Sequence, residues 1–225
     1  MSLKGVEIIA SDVDGCVVNV VDPVLDEVNR VAIGLGLPPY TVDDFDDFWW
    51  ASKIIKELTG DKKLATQVES GFFNPKIQRR AQPYPGAIET WSLIHELKAR
   101  KKIRDYYFIT SRPPESRGAT IEWFGEHMPF VEPEQIIIRR GGENLGGDDF
   151  KAYLCRILGV GLFFEDYHRT YNYLADEVPE MGLGLVRRPW NRGKVRPGID
   201  IVDSQLGVYQ MAVDKINGYV PKHRL

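Results

Sequence analysis

Seven polar side chains, scattered along the 225-residue chain, could together transfer a phosphoryl group. Asp12 and Asp14 stand in Ser11-Asp12-Val13-Asp14-Gly15, directly after an apolar, β-prone run at 6–10. Thr110 opens Thr110-Ser111-Arg112-Pro113 after a second such run at 106–109, and Glu165-Asp166 follow a third at 162–164. Lys151 lies near the start of a helix expected over 148–158. A phosphate ester is anionic and repels an anionic nucleophile, so a cation and a divalent metal must neutralise it. Carboxylates are the hard oxygen ligands that magnesium prefers. Asp12 is the expected nucleophile and a metal ligand, forming an aspartyl-phosphate that splits one hard step into two. Asp14 is the expected general acid and base, and its backbone carbonyl a metal ligand. Asp166 completes the metal set, with Glu165 as a further ligand or as support. Thr110, Ser111 and Lys151 are the expected phosphate-binding groups.

Such residues can meet only if their strands lie side by side. The chain from 83 onward alternates strand and helix: helix 87–100, strand 106–109, helix 120–127, strand 135–138, helix 148–158, strand 162–164, helix 170–175, strand 183–186 and a last helix 204–216. That alternation predicts an α/β fold, a Rossmann-like parallel sheet with helices on both faces. Ligands of such sheets bind beyond the carboxyl ends of the strands, where all three polar clusters fall. Residues 21–82 differ. They show helical spacing at Val24, Val28, Val31 and Ala32, and again at Phe48, Ile54, Ile55 and Leu58, and Thr41 followed by Asp43 and Asp44 resembles a helix start. This stretch is expected to form a small helical cap inserted in a core made of 1–20 and 83–225.

These four motifs, in this order, resemble those of the haloacid dehalogenase superfamily: Asp12-Val13-Asp14-Gly15, Thr110, Lys151 and Glu165-Asp166. The resemblance covers nearly the whole chain. It implies a Rossmann-like core, a magnesium ion and a mobile cap, and the insert after Gly15 stands where a helical cap of the first type belongs. Shorter matches are similar to the 5'(3')-deoxyribonucleotidases: Gly71-Phe72-Phe73, Pro83-Tyr84-Pro85-Gly86-Ala87, Thr110-Ser111-Arg112-Pro113 and Pro189-Trp190-Asn191-Arg192. Relative to that pattern Arg112 is inserted before Pro113, and Glu165 replaces an aspartate. The resemblance implies a magnesium-dependent 5'-nucleotidase acting on (deoxy)nucleoside monophosphates. Phosphatases of other small metabolites such as sugar phosphates, a nucleic-acid end-processing phosphatase and a non-catalytic nucleotide- or metal-binding module are the alternatives.

Phe48, Trp49, Phe72 and Phe73 are candidates to stack a nucleobase, or equally to form the hydrophobic core that a small helical insert needs. Arg187, Arg188, Arg192, Lys194 and Arg196 form a basic cluster that reads first as a solvated loop and second as a site for another phosphate or a polynucleotide. A calcium loop at Asp12 fails, because Cys16 and Pro23 stand where oxygen ligands are required. The net charge of −3 gives no reason to expect a nucleic-acid or membrane partner. Two distant cysteines, Cys16 and Cys155, form no metal or disulfide framework and fit a reducing cytoplasm. No apolar stretch is long enough to span a bilayer. The expected partner is a small phosphorylated substrate, and a homodimer is compatible with this reading.

Overall fold

The computed structural model describes residues 7–139, 145–194 and 199–218, apart from the side chains of Glu69 and Phe73. A six-stranded sheet occupies the centre. Its strands are β1 (Ile8–Ser11), β4 (Asp105–Thr110), β5 (Ile136–Ile138), β6 (Leu162–Glu165), β7 (Gly182–Val186) and β8 (Ile201–Val202). They lie in the order β5-β4-β1-β6-β7-β8, and every pairing is parallel. β1 alternates its side chains between two cores, as period-two geometry requires. Ile9 joins one apolar cluster, and Ile8 and Ala10 join the other. Helices α5 (Ala87–Ala99) and α9 (Gln205–Ile216) contribute to the first cluster, with α6 (Arg117–His127). Helices α7 (Gly147–Leu158) and α8 (His168–Glu177) cover the second.

The chain runs from β1 outward to β4 and β5, then crosses to β6 on the other side of β1. The order reverses between β1 and β6, which opens a crevice beyond their carboxyl ends. β8 is a strand that the sequence reading does not contain. Two residues in a long connection carry no periodic signal, and only the pairing of Leu185 with Ile201 and of Val186 with Val202 defines it.

The helices α1 (Val21–Gly34), α2 (Trp50–Thr59), α3 (Lys62–Glu69) and α4 (Pro75–Arg80) fall between β2 (Val18–Asn19) and β3 (Gln82–Pro83). Those two short strands pair antiparallel, so the chain leaves and returns through one ribbon. Pro23 sits in the first turn of α1. Proline is tolerated there because first-turn N–H groups have no helical partner. Thr41 and Asp44 do form a capping box, but over one 3₁₀ turn (Val42–Asp44) that ends in extended Phe45.

The apolar cluster on the α5 side continues without a break into these helices through Val24, Val28, Phe45, Trp50, Ile55 and Phe72. Phe45 stacks on Trp50 with centroids 3.7 Å apart, and Phe72 meets Trp50 edge-on at 6.3 Å. Phe72 is 2% exposed. We therefore expect Phe72→Ala to cost about 3–5 kcal/mol of stability, measured by urea unfolding. A loss well below about 1 kcal/mol would show that the ring is not a core element.

Candidate functional site

All three strand-end clusters reach one cavity of ≈ 410 Å³ at the crevice beyond β1, β4 and β6. Asp12, Asp14, Thr110, Ser111, Lys151 and Glu165 line it, together with Arg112. Lys151, on the second turn of α7, is 3% exposed and stands between two carboxylates. Its Nζ is 3.0 Å from Asp12 Oδ2 and 2.8 Å from Glu165 Oε2. Glu165 Oε1 accepts the backbone N–H groups of Asp166 and Tyr167 at 3.2 and 3.1 Å. Both Glu165 oxygens are thus engaged, and this side chain anchors Lys151.

Carboxylate oxygens of Asp12, Glu165 and Asp166 all lie within 4.8 Å of one another. Asp12 Oδ1 and Asp166 Oδ1 are buried and have no hydrogen-bond partner among the described residues. Buried carboxylate oxygens without partners are costly without a cation. The donor set is all oxygen, so the residues fit a hard divalent ion such as magnesium. Burial pushes the Asp12 carboxyl up to about 7, aided by Glu165 and Asp14 and opposed by Lys151. Burial, then Glu165 and Asp12, also raise Asp166 far above the ordinary carboxyl range. Burial works against the charge on Lys151, but Asp12 and Glu165 outweigh it and hold the ammonium protonated.

Asp14 has a partner that sequence reasoning noted only as an insertion. Arg112, 1% exposed, donates from Nε to Asp14 Oδ2 at 2.8 Å and from Nη2 to Oδ1 at 2.5 Å. Its Nη1 donates to Thr120 Oγ1 at 2.9 Å. The backbone N–H of Arg112 donates to Thr110 Oγ1 at 3.2 Å, which leaves the Thr110 hydroxyl hydrogen available. Ser111 lines the cavity, but its hydroxyl donates to the Gly147 carbonyl at 3.2 Å. That contact fastens the start of α7 to the end of β4, so any phosphate contact of Ser111 falls to its backbone.

A second set of supports comes from the loop after β7. Trp190 Nε1 donates to Asp166 Oδ2 at 2.8 Å, and Asn191 Nδ2 to the Asp166 carbonyl at 2.8 Å. Arg188 Nε donates to the Gly15 carbonyl at 2.6 Å while its guanidinium lies 3.8 Å over the Tyr84 ring. Gly15 itself has φ +75°, and a Cβ there would sit 2.0 Å from Asp166 Oδ2. Each described member of the expected basic cluster therefore has a partner within the chain. Arg187 pairs with Asp203, Arg192 with Asp43 at 3.0 Å, and Lys194 donates to the Asp46 carbonyl. Arg196 lies outside the described residues.

The four candidate aromatics separate. Phe48 and Trp49 line the cavity. Phe72 sits behind Phe48, at 5.7 Å between centroids, and belongs to the core. The Phe73 side chain lies outside the described residues. Phe48 also packs against Tyr167 at 5.1 Å and Trp190 at 6.1 Å, which brings the insert onto the strand-end loops. Among the described residues, no helix is long and apolar enough to cross a membrane.

No family model and no curated protein matches the sequence. Solved structures do match in shape. A haloacid dehalogenase-like family hydrolase from Streptococcus pneumoniae aligns with TM-score 0.63 and 11% identity over 92% of this chain and 98% of that one. A HAD-superfamily hydrolase of subfamily IA, variant 1, from Geobacter sulfurreducens aligns with TM-score 0.59 and 13% identity over 94% and 99%. A predicted phosphoglycolate phosphatase from Haemophilus somnus aligns with TM-score 0.60 and 14% identity over 92% and 97%. The fold is thus the Rossmann-like α/β fold of the haloacid dehalogenase type, as the sequence predicts.

Two outcomes follow from the geometry. Gly15→Ala should cost about 1–2 kcal/mol from its backbone conformation alone and displace Asp166 besides. Chemical unfolding and loss of magnesium binding would register both, and a Gly15→Ala variant indistinguishable in both would refute the close approach. The second concerns pH in the metal-free protein. Asp12 holds its proton to about pH 7 when folded but loses it near the ordinary carboxyl value of 3.8 when unfolded. The folded state therefore binds more protons between those values, and this contribution to stability, complete below the lower one, is lost as pH rises through the upper. Asp12→Asn removes the titration, so its Tm should rise relative to the unsubstituted chain by several degrees between about pH 5 and pH 8. A constant difference across that window would contradict it.

Proposed function

We propose that this chain is a magnesium-dependent phosphomonoesterase that acts on a small phosphorylated metabolite through an aspartyl-phosphate at Asp12. The observation that carries the reading is the unpartnered Asp12 Oδ1, buried in the cavity, on a carboxylate whose other oxygen Lys151 holds at 3.0 Å. Lys151 fixes the carboxylate and brings positive charge to the place where the phosphate must sit. Thr110 donates its free hydroxyl hydrogen to a phosphate oxygen. Asp14 gives a proton to the leaving oxygen and later takes one from water. To hold that proton, Asp14 must release one of the two N–H groups of Arg112. Asp12, Asp166 and the Asp14 carbonyl would hold the magnesium ion, which when bound offsets the charge of the phosphoryl group.

Residues 21–82 act in this reading as the cap that selects the substrate. The names of the structural neighbours described above favour a small metabolite over a nucleotide, since the one that names a substrate names phosphoglycolate. Phe48 and Trp49 on the cavity wall favour a second reading, a nucleoside monophosphate stacked on a ring. Phosphate release across sugar phosphates, short acid and alcohol phosphates and nucleoside monophosphates, with and without magnesium, separates the two. Asp12→Asn and Lys151→Met should each lower kcat on the order of a thousandfold or more on whichever substrate works. Near-normal release by Asp12→Asn would remove the nucleophile from the mechanism.

A further inference from the structure

Resting on this phosphomonoesterase reading, we propose that the half of the cavity remote from Asp12 selects an ester whose alcohol carries a positive charge, an aminoalkyl phosphate. The argument begins with the charges on the wall. Asp12, Asp14, Asp148, Asp149 and Glu165 face Arg112 and Lys151, five carboxyl groups against two cations among the described residues. Both cations are committed. Arg112 closes on Asp14 with two hydrogen bonds, and Lys151 bridges Asp12 and Glu165. The orphaned Asp12 Oδ1, on a residue 8% exposed, marks the phosphate end of the same cavity.

What remains for the rest of the substrate is Asp148 and Asp149, in the first turn of α7. Asp148 accepts a hydrogen bond from Thr170 Oγ1 at 2.7 Å, and Asp149 one from the Tyr173 hydroxyl. Those donors are neutral, so they leave the carboxylate charges uncompensated. Neither aspartate has an ion-pair partner among the described residues. The N-terminus of α7 supplies only about half a positive charge, against two carboxylates. Phe48 and Trp49 line the same cavity, with Tyr167 packed against Phe48. Ring faces attract a cation and repel an anion. A carboxylate or a second phosphate on the substrate would meet like charge and aromatic rings, and among the described residues that line the cavity both cations, Arg112 and Lys151, are already engaged. The substrate in the name of the Haemophilus somnus structure, which carries a carboxylate, is therefore the wrong charge for this cavity.

Three esters of similar size test this: 2-aminoethyl phosphate, 2-hydroxyethyl phosphate and phosphoglycolate, each assayed with magnesium for kcat/KM of phosphate release. The expected order is amine, then hydroxyl, then carboxylate, with on the order of tenfold or more between the extremes. Asp149→Asn should shrink the ratio between extremes, and Asp149→Lys should reverse it. A ratio within one variant does not depend on how much of the protein is folded. Equal rates on all three, or phosphoglycolate in the lead, would overturn the proposal and leave the phosphomonoesterase reading intact. Release from p-nitrophenyl phosphate with none from the amine ester would do the same. No release from any of these four compounds would bring down the parent reading, and this one with it.

Discussion

Three buried carboxyl groups within 4.8 Å of one another set the terms for the rest of this structure. Asp12 is placed by β1, and Glu165 and Asp166 by β6, where the sheet order reverses. Bringing them together removes water from three groups that also repel one another. The protein answers with one fixed cation. Lys151 reaches two of the three, and Glu165 turns its second oxygen to two backbone N–H groups. Asp166 is met by the neutral donor Trp190. The compensation is incomplete: one oxygen on Asp12 and one on Asp166 stay without partners among the described residues. A site left short of positive charge in this way is poised to take up a cation, and its two raised carboxyls release protons as it does so.

The backbone around Asp12 obeys the same constraint. Gly15 turns through a positive φ so close to Asp166 that no side chain fits between them. Its carbonyl is held by Arg188, whose guanidinium is in turn stacked on Tyr84 from the returning ribbon. Asn191 ties the Asp166 carbonyl to the Val186 carbonyl at the end of β7. The loops after β1, β6 and β7 therefore support one another, and the buried acidic cluster sits on a frame that extends well beyond the carboxylates themselves.

Much of this was legible in the sequence, for a physical reason. An apolar run that stops at an acid or hydroxyl is visible locally, so Asp12, Asp14, Thr110 and Glu165-Asp166 stand out, and the parallel sheet follows from strand and helix alternation. Pairing partners are not local. Arg112 meets Asp14 across 98 residues and Arg188 meets Gly15 across 173, and no period or spacing connects them. Arg112 and Arg188 read as an insertion and a loop charge, although each is engaged inside the fold. The aromatics were ambiguous for another reason. Burial in a helical core and exposure in a cavity demand the same residue types, so only coordinates separate Phe72 from Phe48 and Trp49. β8 escaped because two residues are too few to show alternation.

Reaction and selectivity draw on different parts of the fold, yet they meet at single side chains. In the proposed reading the strand ends set the chemistry at phosphorus, because their polar atoms are held by the sheet itself. On that reading the insert and the first turn of α7 set what sits beside it. Phe48 belongs to both. One neighbour of this ring is Phe72 in the core of the insert, and another is Trp190, which donates to Asp166. Rings in edge and offset contact favour particular separations and angles, so Phe48 cannot shift without disturbing its neighbours. The position of the insert is thereby felt at a carboxylate of the buried acidic cluster. On the proposed reading, a substrate settling against Phe48 and Trp49 would contact the same packed unit that holds Asp166, which would link occupation of that part of the cavity to the geometry at Asp166.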